Sequence, residues 1–275
     1  MSETSPGASP GPYSASRLAD EIRAAIEHGD LHPGEQLPTV GALADQYAVN
    51  KNTASRAVSQ LKAEGLLAGP AGGRTYVRIQ PQRLRRHNAR YQKEKDTVLL
   101  RSDDSRGAWG VAESDSGFSV RDLFEDTYRY DVVPGPNDVR KILNLHSEDE
   151  NVLRRTHRRR HAAGAGASGS TSYLPLDLIS ANQDLLDSSN EPWPGGTMHQ
   201  LHTVGIEVDR IDDHIVVTMP SREEQEDFDI PPGIPMIRLR KITWSTLGMA
   251  VEVADIPLPA DRTELIYTTN LERWQ

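Results

Sequence analysis

The stretch from Leu37 to Arg78, LPTVGALADQYAVNKNTASRAVSQLKAEGLLAGPAGGRTYVR, limits what this chain can fold into more than any other. Two short helical patterns joined by a tight turn lead into a glycine-rich hairpin pattern. In the second helix Ala54, Ala57, Val58 and Leu61 recur at i, i+3, i+4 and i+7, a one-sided apolar stripe. The opposite face carries Asn52, Ser55, Arg56 and Ser59. That face is polar and sparsely charged, which suits base edges in a major groove wide enough for one helix. It would serve equally as the solvated side of an ordinary helical hairpin, so its surroundings decide.

Before the stretch, Ser14 is a good N-cap, and Leu18, Ile22 and Ile26 recur every four positions. Gly29 supplies the left-handed stop expected at a helix end. Asp30–Pro38 is turn-rich. Thr39 caps a second helix running to about Tyr47, and Asn50 caps a third that ends near Glu64-Gly65. Leu66–Ile79 then reads as two short strands around Gly69–Gly73, a β wing. Residues 1–12, rich in Pro, Gly and Ser, read as a disordered N-terminus with no signal-peptide character.

Charge divides the chain. Residues 1–95 hold 13 Lys and Arg against 9 Asp and Glu, a net +4; the remaining 180 hold 18 against 31, a net −13, which together make the overall −9. A basic N-terminal module on an acidic body is the economical reading, with DNA met by the N-terminal face alone. There is no cysteine, which removes disulfides, thiolate metal sites and cysteine nucleophiles. No apolar run approaches the roughly 20 residues needed to span a bilayer. A cytoplasmic, membrane-free protein is expected.

The order of these pieces resembles the winged helix-turn-helix of the GntR family of transcription regulators. The residues that carry the likeness are Ile26, Gly29–Gly34, Leu37-Pro38-Thr39, Leu43-Ala44, Val49-Asn50-Lys51, Thr53, Ala57, Leu61, Glu64-Gly65-Leu66, and Gly72 with Thr75-Tyr76-Val77. Several family arginines are displaced: Val40-Gly41, Lys51 and Ser55 stand where they are frequent, and Arg56 follows one position later. The docking mode carries over by resemblance; the operator sequence does not. Thr39, Lys51 and Thr53 are expected near phosphates, which position without reading sequence. Asn52 and Arg56, which lie furthest from the stripe, are the base-edge candidates, with Ser55 on the same face. Gly72, Gly73 and Arg74 would bring the wing to the backbone or into a minor groove.

Residues 80–126 read as a linker with a basic run at Arg83, Arg85 and Arg86, followed by a segment anchored by Trp109 and Phe118. From Thr127 the pattern tightens. Strands are expected at Tyr128–Val133, Val152–His161, Ser170–Leu174, Val208–Met219, Met236–Ser245 and Met249–Leu258, with Glu264–Leu271 closing the sheet. Short helices follow Pro134-Gly135-Pro136, span Thr197–Val204, and open at the capping box Ser221–Glu224. The whole is α+β, a winged helix-turn-helix at 13–79 joined to a mainly antiparallel sheet domain with short helices at 127–275.

That second order resembles the UTRA effector domain that follows the winged helix in the HutC subfamily, a fold shared with chorismate lyase. The marks are Ile142–Val152, an Arg-rich strand, Thr171–Pro175, and Pro231 through Glu252. On the strand Arg154–His161, Arg155, His157 and Arg159 share one face while Arg154, Arg158 and Arg160 share the other. The resemblance implies an effector pocket at Arg155, His157, Ser172, Tyr173 and Glu252, receiving an anion such as a sugar phosphate. Pairing of these arginines with acidic residues across strands is the plainer alternative.

An enzyme of the chorismate-lyase type is the competing class. His199 and His202, at i and i+3, lack a third ligand at a recognisable spacing, and no catalytic fingerprint or cofactor motif appears. The expected protein is therefore no enzyme and needs no metal or cofactor. It is a ligand-responsive repressor, a homodimer on an inverted-repeat double-stranded operator, released by a small-molecule effector.

Overall fold

The computed structural model describes residues 13–70, 73–81, 83–99, 123–147, 149–161 and 167–271. The chain forms two compact units that part after Gln80, with Ile230–Ile234 grouped with the first.

In the first unit, helix α1 (Ala15–His28) begins where the Ser14 hydroxyl accepts from the Arg17 amide. It stops at Gly29, whose φ of 83° lets its N–H return to the Ala25 and Ile26 carbonyls. Helices α2 (Val40–Gln46) and α3 (Lys51–Ala63) are capped by Thr39 and Asn50, as expected. The Asn50 carboxamide oxygen accepts from the Thr53 amide at 2.7 Å. Leu18, Ala54, Ala57 and Leu61 have no exposure at all, and they share one core with Ile22, Leu43 and Leu67. Each large aliphatic side chain buried there contributes about 1.5–3 kcal/mol. The alanines keep α1 and α3 close, and the Arg23–Glu64 ion pair, 2.7 Å, ties their surfaces.

The wing is strands β1 (Leu67–Ala68) and β2 (Tyr76–Val77), antiparallel with Leu67 opposite Val77. Its turn needs Gly69: φ is 130°, and a Cβ there would stand 2.1 Å from the Arg74 carbonyl oxygen. Lys62, from the last turn of α3, donates to the carbonyls of Gly69 and Pro70 at 3.0 and 3.3 Å.

The segment expected to be a linker is structured where described. Strand β3 (Leu84–His87) pairs parallel with β10 (Thr263–Ile266), and helix α4 (Arg90–Thr97) follows. Both belong to the second unit. The sequence hid them because the partner strand is 179 residues away, and the pairing is secured partly by an exposed Arg85–Glu264 ion pair. Trp109 and Phe118 lie outside the described residues, as does the expected disordered N-terminus at 1–12.

The second unit is built on one antiparallel sheet of order β4-β5-β6-β9-β8-β7. Its strands are β4 (Leu123–Val133), β5 (Val152–His161), β6 (Ala167–Pro175), β7 (Val208–Thr218), β8 (Met236–Ser245) and β9 (Ala250–Pro259). Helix α5 (Asn137–Ile142) covers one face, packing Val139, Leu143 and Ile142 with Val152, Ile242 and Val253. Helices α6 (Leu176–Ile179) and α7 (Gly196–Thr203) contribute Ile179, Met198 and Leu201 to a second cluster with Leu153, Leu174 and Val251. Strand alternation explains the division: neighbours Val152 and Leu153 serve opposite faces. Helix α8 (Arg222–Asp227) opens with the reciprocal Ser221–Glu224 capping box. The expected closing strand at Glu264–Leu271 is shorter and elsewhere, because β10 pairs with β3 and not with the six-stranded sheet.

Candidate functional site

Two places carry candidate chemistry. On α3, Lys51, Asn52, Ser55 and Arg56 are exposed on the face opposite the buried stripe, while Thr53 is half-buried. Thr39 stands beside this face: the Cβ that Gly41 lacks would lie 3.8 Å from the Thr39 hydroxyl and 3.9 Å from Lys51 Cε. Its hydroxyl already accepts from the Ala42 amide as the α2 cap, leaving its O–H to donate outward. Gly73 and Arg74 are exposed at the wing, and Gly72 lies outside the described residues.

The second place is a polar cavity of about 180 Å³ within the second unit. Arg155 reaches into it from β5, Ser172 from β6 and Glu252 from β9, next to one another across the sheet. Thr197 and Gln200 approach from α7. The Arg155 guanidinium spends four of its five N–H groups: Nε donates to Ser172 Oγ at 3.2 Å and Nη1 to Gln200 Oε1. Nη2 donates to Thr197 Oγ1 and Glu252 Oε1 at 3.2 and 3.3 Å. Glu252 is 2% exposed, and its other oxygen meets Lys241 Nζ at 2.8 Å and the Thr243 hydroxyl at 2.9 Å. Burial alone would raise its pKa, but Lys241 and Arg155 outweigh that and hold the carboxyl below its ordinary value.

The far wall is Glu191. Its Oε1 accepts from the Tyr130 hydroxyl and from Gln200 Nε2, and Oε2 from the Trp193 amide. His157 lies flat on Tyr128, ring centres 4.3 Å apart at 6°. Its Nε2 meets Asp126 Oδ1 at 2.6 Å, so this nitrogen carries the proton. Burial lowers the His157 pKa in spite of Asp126, leaving a neutral ring at pH 7. Burial likewise pushes the Tyr128 hydroxyl up to about 12.

Of the five expected effector residues, Arg155, His157, Ser172 and Glu252 line this cavity. Tyr173 does not: next to Ser172 on β6, it faces the other way and packs in the cluster under α5. Three of the four remaining arginines of β5 follow the plainer alternative. Arg154 pairs with Asp131 at 3.0 Å, Arg159 with Asp126 at 3.1 Å and Arg160 with Glu125 at 3.9 Å. Arg158 lies 5.7 Å from the Phe228 ring centre. Sequence reasoning missed Lys241, Glu191, Gln200 and Tyr130. Only Tyr130 left a signal, since the alternation Tyr128-Arg129-Tyr130 puts both tyrosines on one face. A larger groove, about 510 Å³, lies by Leu143, Trp244 and Met249. Of its charged residues Lys141, Glu150 and Asp177, Glu150 is already held by the His146 and Ser147 amides.

Trp193 Nε1 donates to His199 Nδ1 at 2.9 Å, which gives that histidine a structural partner. Among the described residues no group of three or more His, Asp or Glu is placed to hold a metal ion, and no helix is long and apolar enough to cross a membrane.

Comparison with known proteins fits both halves. Residues 14–77 match the family described as bacterial regulatory proteins, gntR family, and residues 127–264 match the UTRA domain. An HTH-type transcriptional regulator of Streptomyces coelicolor is 29% identical over 238 residues, 86% of this chain and 85% of its own. The mannosyl-D-glycerate transport/metabolism system repressor MngR of Escherichia coli is 39% identical over 62 residues, 22% of this chain and 26% of its own. Among solved structures, a GntR-family transcriptional regulator aligns with a TM-score of 0.63 at 22% identity, covering 94% of this chain and 98% of its own. PhnF from Mycobacterium smegmatis aligns with a TM-score of 0.50 at 15% identity, covering 93% and 100%. These families and relatives are transcription regulators and not enzymes, their GntR heads binding DNA and their UTRA domains binding small-molecule effectors. The chain belongs to the UTRA-containing GntR regulators, with the architecture of the HutC type.

Proposed function

We propose that this regulator is a cytoplasmic repressor. It binds an inverted-repeat operator as a homodimer, and it lets go when a small molecule fills the cavity beside Arg155 and Glu252. The observation that carries the reading is the cavity itself: a charged, hydrogen-bonded pocket inside a unit that is separate from the DNA head. A buried ion-pair network costs desolvation that apolar packing would avoid, so a recognition role accounts for it better than stability does. The two-fold operator follows from using one reading helix per subunit. Asn52 and Arg56 read base edges, Ser55 adds a hydroxyl beside them, and Thr39, Lys51, Thr53 and the wing at Gly72, Gly73 and Arg74 hold phosphates. The name of the E. coli relative, a repressor, supports the direction of control.

Because a ligand shifts an equilibrium only by its differential affinity for two states, the effector must bind the DNA-free arrangement more tightly. Fluorescence anisotropy on an inverted repeat from upstream of the gene, with and without candidate metabolites, tests this. Loss of operator affinity at saturating metabolite is expected; tighter binding would make the protein a co-repressor-dependent regulator instead.

A further inference from the structure

We infer that the cavity selects a small carboxylate bearing a hydroxyl or ammonium donor, with Lys241 holding the carboxylate and Glu191 receiving the donor. This deepens the effector reading above and rests on it.

The polar wall of the cavity is a single alternating relay. Lys241 meets Glu252, Glu252 meets Arg155, Arg155 meets Gln200, and Gln200 meets Glu191. The relay therefore has a cationic end and an anionic end. At the cationic end one buried carboxylate serves two cations, Arg155 and Lys241, whose side chains are only 10% and 13% exposed. A single carboxylate neutralises one of them, so a second anion is favoured there.

Arg155 cannot receive that anion as a fork, because four of its five N–H groups already donate within the protein and a single Nη1 N–H is left. Lys241 can. An ammonium has three donors, and among the described contacts Lys241 spends one, on Glu252. A compact point charge with two donors suits a monoanionic carboxylate, whereas a phosphate ester dianion calls for a free guanidinium fork or more charge. At the other end the Glu191 carboxylate keeps acceptor capacity beyond its three donors. The cavity, about 180 Å³, suits a small ligand. Ala254 and Ile256 supply the apolar part of the lining.

Calorimetric titration of the full chain with D-glycerate, L-serine, D-gluconate, propionate, glycerol and glycerol 3-phosphate tests the assignment. At least one of the first three should bind. Propionate, lacking the donor, should be about tenfold weaker, and glycerol and glycerol 3-phosphate weaker still. Lys241→Met should lower carboxylate affinity about ten- to hundredfold with Lys241→Arg restoring part of it. Glu191→Gln should narrow the gap between propionate and the donor-bearing acids. Glycerol 3-phosphate binding tighter than every carboxylate, no binding by any carboxylate, or unchanged affinity in a folded Lys241→Met overturns the assignment. A carboxylate that binds without altering operator affinity leaves the ligand class intact and removes the effector reading. A phosphate ester that releases DNA does the reverse.

Discussion

Arg155 on β5 reaches over β6 to Glu252 on β9, Nη2 to Oε1 at 3.3 Å, and both side chains are almost wholly buried. The contact joins three strands through one polar bridge, and Lys241 on the opposite oxygen makes Glu252 the only carboxylate either cation meets among the described contacts. Glu252→Gln would leave both cations buried without a charge partner. Removing one member of a buried pair costs about 3–5 kcal/mol, so urea unfolding should show a loss of that size. A change below about 1 kcal/mol would mean that solvent reaches the network.

Glu224 supplies a pH dependence. The Arg238 hydrogen bonds, with the Ser221 amide behind them, lower its pKa from 4.5 to about 2. A carboxyl depressed in the folded state contributes stability above its unfolded pKa and loses it as pH falls through the folded one. The contribution is thus full above about pH 4.5 and gone near pH 2. The pair is half-buried and still reached by solvent, so its worth is about 1 kcal/mol. Arg238→Met should remove that part of the acid slope in denaturation series between pH 5 and 2.5, and an unaltered slope would show that the pair carries none of it.

The wing depends on Gly69. Gly69→Ala places a Cβ 2.1 Å from the Arg74 carbonyl in a backbone conformation that alanine avoids. Operator affinity should fall because the wing shifts, while the α1–α3 core, which meets the wing through Leu67 and Val77 and not through Gly69, keeps its cooperative melting. Simultaneous loss of both would tie the wing to the core more tightly than the Lys62 bonds suggest.

On α3, Arg56→Ala should cost about 1–3 kcal/mol on the operator and change base preference, while Lys51→Ala should weaken specific and random DNA alike and flatten the salt dependence. Selection on randomised duplexes separates the two. Equal losses on operator and random DNA for Arg56→Ala would remove it from base reading.

How far the sequence spoke depends on how local each signal was. Ser14, Thr39, Asn50 and Ser221 cap their helices through amides three residues on, so these boundaries were legible from neighbours alone. Strand β3 was not, because Leu84–His87 is a strand only by virtue of Thr263–Ile266. The residues that line the cavity divide in the same manner. Period-two alternation set Arg155 and His157 on one face of β5, and the family resemblance picked them from it. Lys241 and Glu252 meet through strand order, with β8 and β9 side by side, and the charge of Lys241 is unremarkable in its own strand, MIRLRKITWS. Tyr173 came from the resemblance, and alternation overrules it: its neighbour Ser172 faces the cavity, and a strand cannot turn both inward.

Filling this cavity should change the grip on DNA. Anisotropy reads this as operator affinity of the full chain, with and without the carboxylate that binds best by calorimetry. The comparison is Ser170→Phe, which fills the cavity from its half-buried wall on β6. Wild type should lose at least about tenfold in operator affinity at saturation, a coupling of about 1.4 kcal/mol, and Ser170→Phe should neither bind the carboxylate nor respond to it. Undiminished operator affinity in wild type, with the cavity shown to be saturated, would mean that the cavity does not control DNA binding.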